Sequence, residues 1–253
     1  MLLPQAFRPL PHCGAQQMMK KRRQVGAMRA ARVLAALFLL AASAPVADRL
    51  GAGETKEKQT PAKAAAKWKP LFDGKTLRGW KITQFGGQGD VTVQAGTIEL
   101  DFGSPMTGIT YTGKLPKCNY EIQLDAKRID GVDFFCALTF PVNNSYCSLI
   151  VGGWGGAVVG ISSIDGHDAS ENETTRYMSF KKGRWYHIRV RVQADRIQAW
   201  IDRQQVVNLS IRGRKLTTRA EVDLSKPLGI ASFETRAGLR NIRIRELNQS
   251  RNQ

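Results

Sequence analysis

The sequence lacks the patterns that mark several large classes of protein. The stretch 183–208, around which the domain is organised, has no helical period, so an all-β domain is expected rather than a helical one. No Cys-x-x-Cys occurs, and the three histidines (His12, His167, His187) are scattered, which argues against a structural zinc site. Asp165, Asp168 and Glu171 lie near one another but lack the spacing of a calcium loop. No metal ion and no cofactor is expected. The glycine-rich stretch 152–156 is followed by neither Gly-Lys-Ser/Thr nor a helix, so it is not a phosphate loop. It reads instead as a tight crossing between strands, or as a loop presenting Trp154.

Acidic residues are absent from residues 1–47, which hold seven basic ones. These account for part of the formal net charge of +17; the rest of the chain has 31 basic against 21 acidic residues, a net +10. Such a charge favours acidic surfaces. No helix-turn-helix, zinc finger or base-stacking motif accompanies it, so no specific nucleic-acid partner is expected. Lys20 to Arg23, Arg29 and Arg32 precede an apolar run of ten residues, 33–42, followed by Ser43, Ala44 and Ala47. Basic, apolar and small segments in that order make a secretory signal. The run is too short for an ordinary membrane span. Export to the periplasm or beyond is expected, with membrane contact only through an uncleaved signal. Ala42-Ser43-Ala44 fits a cleavage site although Pro45 follows it, and Met28 opens a second complete basic region. Residues 48–67 are charged, rich in Ala and Pro, and read as a flexible linker. A domain over 68–247 and a tail over 248–253 complete the chain.

What is present is alternation. In residues 183–208, Tyr186, Ile188, Val190 and Val192 alternate with His187, Arg189 and Arg191. Residues 193–195 turn, and Ile197, Ala199 and Ile201 then alternate with Arg196, Gln198 and Trp200. After a turn at 202–205 a third strand starts at Val206. This is an antiparallel meander with one face buried. Strands are also expected at 90–93 and 97–102 around a turn at Ala95-Gly96, at 108–111, at 120–128 before a turn at 129–131, at 132–140 as a strand covered on both faces, and at 145–151 after a turn at 141–144. Strands every eight to twelve residues suggest a sandwich. Residues 162–176 form the longest polar loop, and long loops in compact domains often carry function.

Residues 68–80 (WKPLFDGKTLRGW) form an entry strand and two turns with aromatic anchors at Trp68, Phe72 and Trp80. The string 71–80 resembles the opening of the 3-keto-disaccharide hydrolase domain family (DUF1080). Gly183-Arg184-Trp185-Tyr186 resembles its middle motif, and Leu239-Arg240-Asn241-Ile242-Arg243-Ile244 with Glu246-Leu247 its end. The resemblance implies an all-β concanavalin A-like jelly-roll sandwich of two antiparallel sheets, exported and active in sugar breakdown. It implies hydrolysis of 3-keto-glycosides: the ketone acidifies the C2 hydrogen, a base removes it, the glycosidic group leaves, and hydration completes the reaction. Such a site needs a base, a donor or cation for the enolate and a stacking aromatic.

The chain departs from the family where a strand glutamate faces the site, since Cys147 stands in that place. Asp133, His167 and Glu234 are the replacement candidates for proton transfer. Tyr146, Trp154, Asp165, Arg176, Trp200 and Arg236 are candidates for holding sugar. Each also has a plain reading as a turn, core or surface residue. The alternative function is a non-catalytic carbohydrate-binding module on the same fold. Cys136 and Cys147 flank a hairpin; a cross-hairpin pair and two small buried thiols are both open readings.

Overall fold

The computed structural model describes residues 66–247, all within the unit Thr60–Gln253. The predicted signal, most of the linker and the tail lie outside these residues.

Among the described residues fifteen strands make two antiparallel sheets, joined by one short 3-10 helix (Ala220–Ser225). The first holds β3 (Val91–Gln94), β4 (Thr97–Leu100), β6 (Tyr120–Gly131), β11 (Tyr186–Val192), β12 (Arg196–Ile201), β13 (Gln204–Ser210) and β15 (Thr235–Glu246), in the order β13-β12-β11-β6-β15-β4-β3, with β1 (Lys69–Pro70) also on β15. The second runs β10-β9-β8-β7-β14-β5-β2, from β2 (Trp80–Ile82), β5 (Met106–Tyr111), β7 (Cys136–Val142), β8 (Ser145–Gly153), β9 (Val158–Ser162), β10 (Arg176–Tyr177) and β14 (Gly229–Phe233). The sheets pack face to face as a jelly-roll sandwich.

Alternation sets the core. Ile122, Leu124 and Ala126 of β6, Ile188 and Val190 of β11, and Ile197 and Ala199 of β12 are fully buried, while their sequence neighbours face outward. From the second sheet Leu138 and Phe140 of β7 and Cys147, Leu149 and Val151 of β8 meet them. The opening motif pins the chain to this core: the Trp80 indole donates to the Leu71 carbonyl at 2.7 Å, and Asp73 accepts from the N–H groups of Thr76 and Lys75 at 2.7 and 2.8 Å.

Several boundaries differ from the sequence reading. β6 runs on to Gly131 because Thr235 and Arg236 of β15 pair with Gly131 and Asp130. Residues 132–135 are a loop rather than the start of a strand, and Val132 is 64% exposed. The Asp133 carboxylate fixes that loop by accepting from the N–H groups of Phe134 (2.7 Å) and Gly155 (2.9 Å). β7 extends through Pro141 and Val142, and the turn shrinks to Asn143-Asn144. Asp202, at a φ of 53°, closes a tight turn, so β13 begins at Gln204. Cys136 pairs with Val151 and Cys147 with Phe140; both thiols are free and buried, so the cross-hairpin bond is not formed.

Candidate active site

The outer face of the second sheet carries small residues: Ala137 on β7, Gly160 on β9 and Ala231 on β14. That lets chain segments lie directly on it. The loop 163–175 crosses β9 so closely that a Cβ at Gly160 would stand 3.0 Å from the Ala169 carbonyl oxygen. Ala169 packs on Ala137, Ile150 and Val158. The 3-10 helix covers the other end, with Val222 on Met106 and Ala231. Phe134 touches both apolar clusters and packs on Phe233, ring centroids 5.6 Å apart.

Between the two coverings is a cleft of about 210 Å³. Its walls are largely apolar, from Met106, Phe134, Ile150, Val222 and Phe233, and its polar groups come from Asp133, Ser162, Arg219 and Glu221. Trp154 stands at the rim, 42% exposed, at the tip of the β8–β9 turn. Apolar walls with a few convergent polar groups are the ordinary make-up of a small-molecule site.

Arg219 is the charged centre. It donates from Nε and Nη2 to the two Glu221 oxygens at 3.3 and 2.9 Å, and from Nη1 to Asp168. Asp168 also accepts from the Ser163 hydroxyl at 2.8 Å. These bonds use three of the five guanidinium N–H groups and leave two for a ligand. The Glu221 carboxyl is held below its ordinary pKa, first by the Arg219 hydrogen bonds. The guanidinium carbon lies 5.8 Å from the Trp154 ring centre.

Of the nine candidates, Asp133 and Trp154 meet in this cleft. Tyr146 lies on the same sheet, with the Lys226 ammonium 5.7 Å from its ring, but does not line the cleft. Glu234 lies between β14 and β15, exposed, next in sequence to the cleft residue Phe233. His167 and Asp165 are exposed on the covering loop, where Asp165 accepts from Arg214 at 2.5 Å. Arg176 is exposed on edge strand β10. Trp200 and Arg236 belong to the first sheet: Trp200 packs under Arg189 (4.1 Å), and Arg236 pairs with Glu99 (2.9 Å). Cys147 points into the sandwich, so it does not occupy a cleft position. Tyr146, Ser148 and Ile150 carry the outward face of that strand, because facing alternates residue by residue.

Sequence reasoning missed Arg219 and Glu221. Their segment has no strand alternation, and the partner Asp168 lies 51 residues away. Among the described residues no group of three or more His, Cys, Asp or Glu is placed to hold a metal ion.

Residues 67–245 match the family described as the 3-keto-alpha-glucoside-1,2-lyase-like domain. The chain belongs to this family. The match spans both sheets, so the 3-keto-alpha-glucoside-1,2-lyase-like domain includes every residue of the cleft. No curated protein matches the sequence. Among solved structures the chain is similar to a Bacillus subtilis protein of unknown function with a galectin-like fold: 9% identity, 73% of this chain and 96% of that one, TM-score 0.50. It is also similar to the carbohydrate-binding module CBM66 from Bacillus subtilis, at 12% identity over 66% of this chain and 96% of that one, TM-score 0.44. A third is domain 4 of AbnA, an extracellular arabinanase from Geobacillus stearothermophilus, in complex with arabinotriose, at 14% identity over 72% and 92%, TM-score 0.47.

Proposed function

We propose that this 3-keto-alpha-glucoside-1,2-lyase-like domain cleaves 3-keto-glycosides in the cleft between the 3-10 helix and Trp154. The observation that carries the reading is the meeting of Asp133, Arg219 and Trp154 at one apolar-walled cleft.

Asp133 takes the C2 proton. Its carboxylate is fixed by two backbone N–H groups, and each oxygen keeps a free lone pair. Glu221 is engaged by a cation, which lowers its pKa. It orients Arg219. Arg219 receives the enolate oxygen on its two unspent N–H groups, which lowers the barrier to proton loss. The electron pair released from C2–H forms the C1–C2 double bond as the C1–O bond breaks, and the leaving oxygen takes a proton from water. Addition of water to the enone completes net hydrolysis. Trp154 offers an apolar face to the sugar ring.

One observation favours a binding module instead. The cleft carboxylates of Asp133 and Glu221, and Asp168 behind them, already accept hydrogen bonds from protein groups. The test is release of a chromogenic phenol from a 3-keto-glucoside by the full-length protein. Wild type is expected to release it. Asp133→Asn is expected to lose about 100-fold or more in kcat, Arg219→Ala to lose kcat comparably, and Trp154→Ala mainly to raise KM. Melting temperatures confirm that each variant is folded. No release above a boiled control, with saturable sugar binding retained, would establish the binding module.

A further inference from the structure

The outer face of the first sheet carries an unusual grid of cations. In one row across the sheet, Arg191, Glu121 and Arg245 are register partners on β11, β6 and β15. Glu121 is fully buried there and accepts from Arg191 Nε at 2.7 Å and from Arg245 Nε at 2.6 Å, with Arg189 at 3.6 Å. A second row joins His187, Asp125 and Arg240, with Asp125 oxygens 2.9 Å from His187 Nδ1 and 3.3 Å from Arg240 Nε. Between them runs a third row: Trp200, Arg189, Gln123, Arg243 and Pro70. Its middle position, flanked by two arginines, holds a neutral amide. Among the described residues Arg243 makes no ion pair.

In these three rows five arginines (Arg189, Arg191, Arg240, Arg243 and Arg245) thus meet two carboxylates, Glu121 and Asp125. The cations are also stacked on tryptophans. Arg189 and Arg191 lie 4.1 and 5.4 Å from the Trp200 ring centre, Arg240 and Lys127 lie 4.1 and 4.7 Å from Trp185, and Arg245 lies 4.5 Å from Trp68. Packing of this kind fixes the guanidinium planes before any ligand arrives.

We propose that this face binds an acidic polysaccharide, a polymer of uronic acid, with a carboxylate seated over Gln123 between Arg189 and Arg243. A carboxylate there repeats the arginine–carboxylate–arginine arrangement that Glu121 makes one row away, and guanidinium groups match carboxylates in paired hydrogen bonds. A sugar ring continues along the row onto the edge of Trp200. A nucleic acid fits less well: stacking a base on Trp200 requires displacing the arginines already over it, whereas a polyuronate uses them where they stand. This site is on the opposite face of the sandwich from the cleft and does not depend on the cleft's chemistry.

Full-length protein titrated with polygalacturonate, followed by calorimetry and tryptophan fluorescence, tests the proposal. Saturable binding is expected, with none to the fully methyl-esterified polymer. Gln123→Glu supplies the missing carboxylate from the protein itself and is expected to weaken binding about tenfold or more, as is Arg243→Gln, with circular dichroism unchanged. Phenol release in the cleft is expected to be unaffected by either variant. Wild-type affinity in both variants overturns the proposal. So does equal affinity for single-stranded DNA or phosphatidylglycerol vesicles, which makes the face a non-selective charged surface.

Discussion

A single buried guanidinium holds the cleft's rim in place. Arg128, 6% exposed, donates from Nη2 to the carbonyls of Asp133 (3.0 Å), Gly152 (3.2 Å) and Gly156 (3.1 Å). It therefore ties the Asp133 loop to the turn that presents Trp154. Gly152 has a φ of 79°, and a Cβ there would stand 2.7 Å from Arg128 Nη2, so the close approach requires glycine. Burial lowers the guanidinium's pKa from its ordinary value while the Asp133 charge opposes the shift, and the group stays ionised at neutral pH. Arg128→Ala leaves three carbonyls without this donor and is expected to destabilise the fold by about 3 kcal/mol or more in urea titrations. Arg128→Lys is not expected to restore it, because an ammonium lacks the planar reach of the guanidinium. An unchanged urea midpoint for Arg128→Ala would show that this guanidinium does not hold the rim. The buried thiols play no such part: burial pushes the Cys136 thiol up to about 12 and the Cys147 thiol higher, so neither ionises near neutral pH.

At the scale of elements, the loop 163–175 is a strap beside the cleft, and its Asp168 accepts from the cleft residue Arg219. Arg214 clasps it by pairing with Asp165 and Glu173, each at 2.5 Å, and the Lys215 N–H adds a bond to Asp165 at 2.7 Å. The Asp165 carboxyl is held below the usual carboxylate range by the Lys215 N–H and then by Arg214, and Glu173 by Arg214 first. A depressed folded-state pKa contributes stability that is present above the ordinary carboxylate range, about 4, and is lost as pH falls through the lower folded values. The melting temperature is therefore expected to fall as pH drops below about 4, and Arg214→Ala is expected to flatten part of that fall in calorimetric scans from pH 6 to pH 2. An identical pH slope in the variant would show that the clasp contributes nothing. The strap was visible in the sequence only as a polar loop. Its clasp was not, because Arg214 meets Asp165 across 49 residues. The strands were easier: β6, β11 and β12 alternate apolar and polar residues, and they lie where that alternation puts them. The stretch 132–135 misled, since an apolar run reads as a strand and nothing local reveals that Asp133 binds the Gly155 N–H, 22 residues on.

At the scale of the molecule, the two outer faces differ in chemistry. One sheet is covered by a strap and a 3-10 helix that leave an apolar cleft with a held arginine; the other displays stacked cations. The anchors at 71–80 and 239–247 made the jelly roll legible because they close the sandwich: Trp80 bonds to Leu71, and Ile242 accepts from the Leu71 N–H at 2.9 Å. Trp154 and Asp133 were legible as residue types suited to sugar chemistry. Their convergence with Arg219 was not, because three separate connections bring the three residues together. Hydrogen exchange of full-length Asp133→Asn with and without a 3-keto-glucoside, which this variant is expected to bind and to turn over at least about 100-fold more slowly than wild type, locates the sugar directly. Added protection is expected in 152–157 and 217–223, with no change in β11 or β12. Protection confined to β11 and β12, or none in the segments around Trp154 and Arg219, would contradict the placement of the sugar in the cleft.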